Sequence, residues 1–302
     1  MKSYLKMFIC VGSGLILLPI FIIHICGIEI GSVAVHSNLA ITKQVEQDII
    51  QEETLVGILA KEIPYTYEME ALKAQAIIER TYMARRILGI QKQGAIVGYT
   101  VDEMKAVWGE EQYQEIYNIY KEAVVATRRQ LIMYDNKPIE ALYHEASSGR
   151  TRDAKSVYKQ EVPYLKSVES DVDQISKQVI LKKEEVAKTL KEVYPNLVIE
   201  ADTIEQQMQI VKKDEAGYIS AMQIGNITIT GEALKELLQL PSCAFKICNS
   251  GDEIIFNVRG VGNGIGLSLN GANELAKQGM TCEEILHYYY TDVTIEEYEV
   301  QN

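Results

Sequence analysis

The sequence has little positive charge. It carries 30 Lys and Arg residues against 42 Asp and Glu residues, which gives a formal net charge of −12. Proteins that bind nucleic acid gain affinity by neutralising phosphates, and no basic stripe offsets the acidic excess in this chain. We therefore expect no nucleic-acid partner.

Cysteine and histidine are also scarce, with five and four residues. The chain has no CxxC motif and no Cys–His cluster with metal-site spacing, so the sequence predicts no metal site. Cys243 and Cys248 are close enough in sequence to form a disulfide outside the cytoplasm. Two reduced thiols on neighbouring parts of a strand are an equal alternative.

Internal repeats and low-complexity segments are absent as well. The 302 residues are 47% hydrophobic, enough for a sizeable core of one large or two modest units. Helical and strand patterns alternate without a repeating order, which is typical of an α+β fold. The sequence thus predicts one mixed α+β ectodomain behind a single N-terminal transmembrane helix.

One long apolar run, residues 7–28, is sufficient to cross a hydrocarbon layer of ~30 Å as a helix. Lys2 and Lys6 precede it, and by the positive-inside bias the N-terminus is cytoplasmic and the bulk of the chain extracytoplasmic. A cleavage site around residues 33–36 is weak, so we expect an uncleaved single-pass anchor in the cell membrane. The expected organisation is a cytoplasmic N-terminus (1–6), a transmembrane anchor (7–28), a tether (29–53) and a catalytic ectodomain (54–302).

Hydrophobic periodicity and turn residues predict the main elements. Helices are expected at 68–88, 110–127, 182–193, 271–278 and 282–290, with a helical end to the tether within 42–59. Strands are expected at 131–134 and 139–143 as a hairpin around 135–138, within 207–230 around a turn at 214–217, and at 253–258.

Glu70 stands at the start of the first long helix, followed by small and apolar residues. A partly desolvated carboxylate has a raised pKa and can serve as a proton donor near neutral pH. Acidic residues are also common at helix N-termini, where they complement the helix dipole. The pattern alone leaves both interpretations open.

The glycine-rich stretch GVGNGIG at 260–266 partly mimics a dinucleotide fingerprint. It lacks the strand–turn–helix setting and the later ribose-binding acid, so no cofactor is expected. Its glycines are typical of a loop with positive φ angles or of a close approach between two backbones.

Three separated segments together resemble the sporulation stage II protein D family of membrane-anchored peptidoglycan lytic transglycosylases, which shares a domain with amidase enhancers. The segments are EIPYTYEMEALKAQAIIERTY at 62–82, KPIEALYHEASSGRTRDAKSVYKQEVPYLKSVES at 137–170, and RGVGNGIGLSLNGANELAKQGMTCEEILHYYYTDV at 259–293. Their order and spacing match the family and, with the connecting segments, cover nearly all of the chain beyond the tether.

The resemblance implies a function for the first segment. Its EALKAQA motif places the family's catalytic glutamate at Glu70, and the motif also matches at Lys73, Gln75, Arg80 and Thr81. Family members cleave the bond between N-acetylmuramic acid and N-acetylglucosamine without water and leave a 1,6-anhydro sugar end. One carboxyl group then acts first as acid and afterwards as base, unlike the paired carboxylates of ordinary glycosidases. Lys73, one turn along the helix, would lower the Glu70 pKa if its side chain points the same way.

The second segment supplies His144, Ser147 and Gly149. By resemblance, the histidine and the serine either bind sugar or organise the site, or else the hydroxyls cap the following segment and the imidazole is a satisfied structural group. Some relatives bind a metal near this turn through Cys and His, but this chain has no cysteine there.

The third segment departs from its relatives. Asn263 stands where they usually carry histidine, and Leu269 where they usually carry glutamine, so substrate handling is affected. Ser268 and Gly271 are retained. The predicted substrate-binding residues of the whole chain are Lys73, Gln75, Arg80, His144, Ser147, Gly149, Asn263, Gly264 and Ser268.

The family setting also implies partners. They are peptide-stripped peptidoglycan glycan strands, a membrane-bound peptidoglycan amidase, and a multi-span scaffold protein of the machinery that engulfs the developing spore. The alternative is a non-catalytic peptidoglycan-binding protein or amidase enhancer of the same fold.

Overall fold

The computed structural model describes residues 52–90, 97–173 and 175–298. The expected cytoplasmic N-terminus, the anchor at 7–28 and all but the last two residues of the tether lie outside these ranges. None of the helices inside them is both long and apolar enough to cross a membrane.

Helices and strands are mixed along the described chain, which confirms the α+β class. The helices, in chain order, are α1 (Glu52–Glu62), α2 (Met69–Ile87), α3 (Val101–Trp108), α4 (Glu110–Ala126), α5 (Ala154–Tyr158), α6 (Lys183–Val193), α7 (Ile204–Gln207), α8 (Gly231–Leu238), α9 (Leu269–Lys277) and α10 (Cys282–Tyr289). The strands are β1 (Gln130–Tyr134), β2 (Lys137–Pro138), β3 (Tyr143–His144), β4 (Ser176–Lys182), β5 (Met208–Lys213), β6 (Ile219–Ile224), β7 (Ile227–Ile229), β8 (Phe245–Ser250), β9 (Glu253–Arg259), β10 (Leu267–Ser268) and β11 (Thr294–Glu297).

The described residues divide into two compact units, and the predicted ectodomain bounds of 54–302 stay a prediction. Within the described ranges, the first unit comprises 52–65, 76–140 and 296–298, and the second comprises 66–75 and 141–295. Helix α2 therefore contributes its first turns, with Glu70, to the second unit and its remainder to the first.

The first unit is built mainly from helices. The buried phenol of Tyr120 in α4 donates a hydrogen bond to the carbonyl oxygen of Ile63 at 2.6 Å. Arg80 in α2 is buried, and its guanidinium donates to the carbonyl oxygens of Thr127 and Val124 at 2.7 and 3.1 Å. Because those carbonyls belong to the end of α4, Arg80 satisfies backbone groups that the helix itself leaves unpaired.

The predicted hairpin is present, but it is tighter than expected. Asp135 and Asn136 form the turn with φ angles of 50° and 58°, and Met133 pairs with Pro138. The prediction was wrong in placing Lys137 and Pro138 in the turn and a strand at 139–143. Asp and Asn tolerate the left-handed conformation, so two residues suffice to reverse the chain.

The second unit contains two three-stranded antiparallel sheets, with strand orders β4–β9–β8 and β5–β6–β7. Their apolar sides and helices α6 and α8 share one core that includes Ile219, Met222 and Phe256. A short parallel pair, β3 with β10, joins residues far apart in sequence. Parallel pairing of two-residue strands is weak by itself, and here neighbouring loop contacts support it.

Cys243 and Cys248, for which the sequence left a disulfide open, are free thiols in this structure. Cys243 is buried and its Sγ donates to Oε1 of Glu232 at 3.1 Å, whereas Cys248 is exposed on β8. Burial raises the pKa of the Cys243 thiol well above its usual range. The thiol is therefore protonated and unreactive.

Candidate active site

Glu70 lies in the first turn of α2, and its side chain is 31% exposed. One carboxylate oxygen, Oε1, accepts a hydrogen bond from Nζ of Lys73 at 2.7 Å. Lys73 therefore points to the same side of the helix, as the spacing of three residues allows. The carboxylate is paired and still reachable from solvent.

The second oxygen of Glu70, Oε2, accepts the backbone N–H of Cys282 at 2.8 Å. Cys282 is the first residue of α10, whose start is fixed by a capping box between Thr281 and Glu284. Helix N-termini present free N–H groups and partial positive charge, so Glu70 is held where an anion is stabilised. The T-x-x-E spelling predicts the capping box, but nothing in the sequence pairs Cys282 with Glu70.

These contacts determine the protonation state of Glu70. Partial burial raises its pKa, but the hydrogen bond and charge of Lys73, with the Cys282 amide and thiol, outweigh burial and lower the pKa below its ordinary value. Of the two interpretations that the sequence left open, a pKa raised by desolvation is not the outcome, and the lowering by Lys73, which depended on where its side chain points, is confirmed. The unliganded site holds the carboxylate, which is the base form.

We expect the variant Lys73→Met to raise the Glu70 pKa. The substitution removes two of the interactions that favour the ionised form, while partial burial remains. A ¹³C-detected NMR titration of the glutamate carboxyl groups measures the change.

Lys277→Met is the matched control, because Lys277 bonds Glu274 with the same spacing of three residues and the same 2.7 Å distance. It leaves the Glu70 titration unchanged. An unshifted Glu70 titration in Lys73→Met contradicts the assignment.

The turn after β3 and the glycine loop before β10 are held against each other. Leu267 pairs with Tyr143 and Ser268 with His144. Farther along, Ala146 and Val261 exchange both backbone hydrogen bonds, at 3.1 and 2.7 Å. The sequence-predicted residues 144–149 and 260–268 therefore form one continuous backbone structure.

Glycine is required in this loop for two separate reasons. Gly264 and Gly266 have φ angles of 77° and 74°, a region that side chains disfavour. A Cβ on Gly266 would lie 1.8 Å from the carbonyl oxygen of Leu142, and one on Gly264 would lie 2.5 Å from the Tyr218 ring. The retained glycines thus serve close approach, as the sequence indicated.

His144 is buried. Nδ1 lies 3.1 Å from the carbonyl oxygen of Ile265, which fixes it as the donor, and the equally buried Nε2 contacts no hydrogen-bonding group of the described ranges. Burial and, to a smaller extent, the Arg152 charge lower the pKa of His144 to about 4, although the Asp173 charge and the hydrogen bond to the Ile265 carbonyl act to raise it. The imidazole is therefore neutral at physiological pH and ties the turn to the glycine loop.

Ser147 and Gly149 form the turn itself. The Ser147 Oγ accepts the Gly149 N–H at 3.1 Å, and the Ser147 N–H donates to Oδ2 of Asp173 at 3.0 Å. Asp173 is buried and also accepts Nδ2 of Asn270 in α9 at 2.9 Å. Ser170, three residues earlier, also donates to Oδ2 of Asp173 at 2.9 Å, but the partners that tie Asp173 to the turn and to α9 lie 26 and 97 residues away, and the sequence gave no signal for them.

Asn263 and Leu269, the residues of the third segment that differ from its relatives, both make contacts within the fold. Asn263 accepts the N–H of Ile265 through Oδ1 at 2.9 Å and stays partly exposed. Ser268 is the N-cap of α9, where its Oγ accepts the Gly271 N–H at 3.1 Å, and Leu269 is buried. Within the part of the chain that the structure describes, no group bonds the amide NH₂ of Asn263, which leaves it for a ligand, whereas Leu269 offers only packing.

The predicted residues are not all brought together. Glu70, Lys73, Gln75, His144, Ser147, Gly149, Asn263, Gly264 and Ser268 belong to the second unit, and Arg80 belongs to the first. Gln75 and Arg80 are buried. Their substrate-binding roles stay predictions, while the contacts of Arg80 favour a structural role. Among the described residues, no three His, Cys, Asp or Glu side chains group in a way that would hold a metal.

Tyr67 lies three residues before Glu70 and was not predicted as a site residue. Its phenol is half-buried, and burial raises its pKa, as do the charges of Glu145, Asp173 and Glu274.

Comparison with known proteins gives a consistent result. The sequence profile of the family described as "Stage II sporulation protein" matches residues 41–134. Stage II sporulation protein D of Bacillus subtilis (strain 168) is 32% identical over 263 residues, covering 83% of this chain and 76% of the relative. The protein of the same name from Bacillus amyloliquefaciens is 30% identical, with coverages of 83% and 75%. An "Amidase enhancer" of Bacillus subtilis (strain 168) is 23% identical, with coverages of 81% and 40%.

Proposed function

This chain belongs to the stage II sporulation protein D family, and from that membership we propose that it is a peptidoglycan lytic transglycosylase acting in spore engulfment. It cleaves the glycosidic bond between N-acetylmuramic acid and N-acetylglucosamine and leaves a 1,6-anhydro end. We further propose that residues 7–28 anchor it in the cell membrane with the folded part outside. Its partners are a membrane-bound peptidoglycan amidase and a multi-span scaffold protein.

The observation that supports this proposal is the setting of Glu70. The carboxylate is partly exposed; its Oε1 is bonded by the Lys73 ammonium and its Oε2 by a backbone N–H, so it has a defined direction and a tunable charge. The Cys282 N–H orients it, and Lys73 sets its proton affinity. Both functions are needed by a group that gives and then takes a proton.

The proposed reaction uses Glu70 twice. Substrate binding separates Lys73 from Glu70 and excludes water, which raises the Glu70 pKa and allows protonation. The acid then protonates the glycosidic oxygen as the bond to C1 breaks. The resulting carboxylate accepts the proton of the sugar's C6 hydroxyl as that oxygen bonds C1, so the 1,6-anhydro ring forms and no water is consumed.

The activity is tested on the full-length protein with peptide-stripped peptidoglycan glycan. Mass spectrometry of the products detects anhydro-muramic ends, which are lighter by one water than hydrolytic ends. We expect anhydro ends only. Hydrolytic ends indicate an ordinary glycosidase, and an absence of cleavage with retained glycan binding contradicts the enzymatic proposal.

The second candidate function is a non-catalytic amidase enhancer or peptidoglycan-binding protein. Two observations favour it: the similarity to the amidase enhancer, and the buried Leu269 where relatives usually carry an amide. This candidate predicts unchanged glycan binding and no anhydro ends. The same assay therefore distinguishes the two.

A further inference from the structure

A groove of about 540 Å³ lies in the second unit, at the end of the β4–β9–β8 sheet where Ser176 pairs with Arg259. Its volume is within the usual range for pockets that hold small molecules or sugar units. One wall includes Ser148, next to the turn of Ser147 and Gly149. The lining residues used below are Lys177, Gln178, Lys213, Lys246, Asn257 and Arg259.

The groove is positively charged although the chain carries a net charge of −12. Four of its lining residues, Lys177, Lys213, Lys246 and Arg259, are cationic and exposed, and none of its described lining residues is acidic. Lys177 lies 3.8 Å from Glu145, a pair that solvent screens. No acidic side chain of the described ranges forms an ion pair with the other three. Charge of one sign gathered in a concave surface attracts an anion.

The chemistry of the lining indicates which anion fits. Arg259 lies against the backbone of Gly149, since a Cβ there would be 3.0 Å from its Nη2. A guanidinium fork matches a carboxylate in two parallel hydrogen bonds. Nε2 of Gln178 donates to Oδ1 of Asn257 at 2.9 Å, and Nδ2 of Asn257 donates to Sγ of Cys248 at 3.4 Å. This pair positions the exposed Gln178 amide, whose N–H and oxygen suit sugar hydroxyls and N-acetyl groups. The groove thus combines donors for a carboxylate with donors and acceptors for a sugar.

We propose that this groove binds the carboxylate-bearing part of the peptidoglycan glycan. The inference rests on the proposed function, because that function makes the glycan the substrate. Peptide-stripped glycan carries a lactyl carboxylate on each muramic residue, and peptide-bearing glycan carries carboxylates on its stems. Both kinds of glycan supply a carboxylate. Because Ser148 of the Ser147–Gly149 turn lines the groove, a strand bound there lies beside that turn.

The test measures binding of full-length protein to three glycans by isothermal titration calorimetry. They are stripped glycan, stripped glycan with amidated carboxyl groups, and peptide-bearing glycan. The double variant Lys246→Gln/Arg259→Gln removes two groove cations. Lys188→Gln/Lys191→Gln removes two exposed cations from α6 and is the matched control with the same net charge.

We expect the groove variant to bind stripped glycan about tenfold more weakly than wild type. This is the combined loss expected when two partly solvated charge interactions are removed. Amidation weakens wild-type binding by a similar factor and abolishes the difference between wild type and variant. Stronger binding of stripped than of peptide-bearing glycan assigns the carboxylate to the lactyl group, and the reverse assigns it to the stem. Either order supports the groove.

Equal binding of stripped and amidated glycan, or equal loss in groove and control variants, overturns the inference. The readout does not depend on cleavage. If binding depends on the carboxylate but no anhydro ends form, the groove inference stands and only the proposed enzymatic function is wrong. If wild type forms anhydro ends but the groove variant binds glycan as tightly as wild type, the proposed function stands and only the groove inference is wrong.

Discussion

Glu70→Gln abolishes formation of anhydro ends, with a rate at least about 100-fold and up to about 10,000-fold below wild type, the usual contribution of a positioned acid–base group. The amide has the size of the carboxylate, and its oxygen still accepts the Cys282 N–H, so the start of α10 stays capped. It can neither donate the proton nor take it back. Product analysis by mass spectrometry measures the loss.

Folding is the necessary control for this result. The ion pair lost with Lys73 is partly exposed, so we expect a change of less than about 1 kcal/mol in the free energy of unfolding. Glu68→Gln is the matched variant, because Glu68 is exposed and it is its backbone N–H, which the substitution leaves in place, that donates to Oδ1 of Asn273 at 2.8 Å. It keeps wild-type activity. A Glu70→Gln protein as active as wild type shows that another group supplies the proton.

Arg152→Met destabilises the protein by about 3–5 kcal/mol, because it leaves the buried carboxylate of Asp214 without its cation. Arg152 is 2% exposed; its Nε donates to Oδ2 of Asp214 at 2.7 Å and its Nη1 donates to Oε1 of Glu232. The same Nη1 bonds the Asn263 carbonyl at 3.1 Å, and the guanidinium lies 4.7 Å from the Tyr218 ring centroid. Denaturant unfolding followed by circular dichroism measures the loss.

Arg150→Met provides the comparison for that measurement. Arg150 also forms an ion pair, with Glu169, but its side chain is 38% exposed and that of Glu169 is 66% exposed. Exposed pairs contribute about 0–1 kcal/mol. Similar losses in the two variants would contradict the assigned role of the buried cluster. Because Arg152 also bonds the glycine loop, its variant is expected to lose activity along with stability.

Sequence patterns predicted elements with a clear period and clear ends. Helix α2 was expected at 68–88 and runs from Met69 to Ile87, and α4, α6 and β9 agree with their predictions within about two residues. Helices α3 and α8 were not predicted. They are eight residues each, so a 3.6-residue period covers only about two turns and is weak, although α10, of the same length, was predicted.

The candidate site was predictable only in part. The resemblance pointed to Glu70, and helical spacing pointed to Lys73. Cys282 and Asp173 were not predictable, because their contacts depend on how distant segments pack and no local pattern records that packing. Leu269 shows the converse case. The sequence identified it as different from its relatives, but only the structure shows that it is a core residue.

The bond between Glu70 and Cys282 also sets the order of events during synthesis. It joins positions 212 residues apart, so the carboxylate gains its backbone partner only after α10 has left the ribosome and folded. Partly made or C-terminally shortened chains contain the whole EALKAQA motif without the group that orients it. In the proposed reaction, such chains hold Glu70 without the orientation that its proton transfers require.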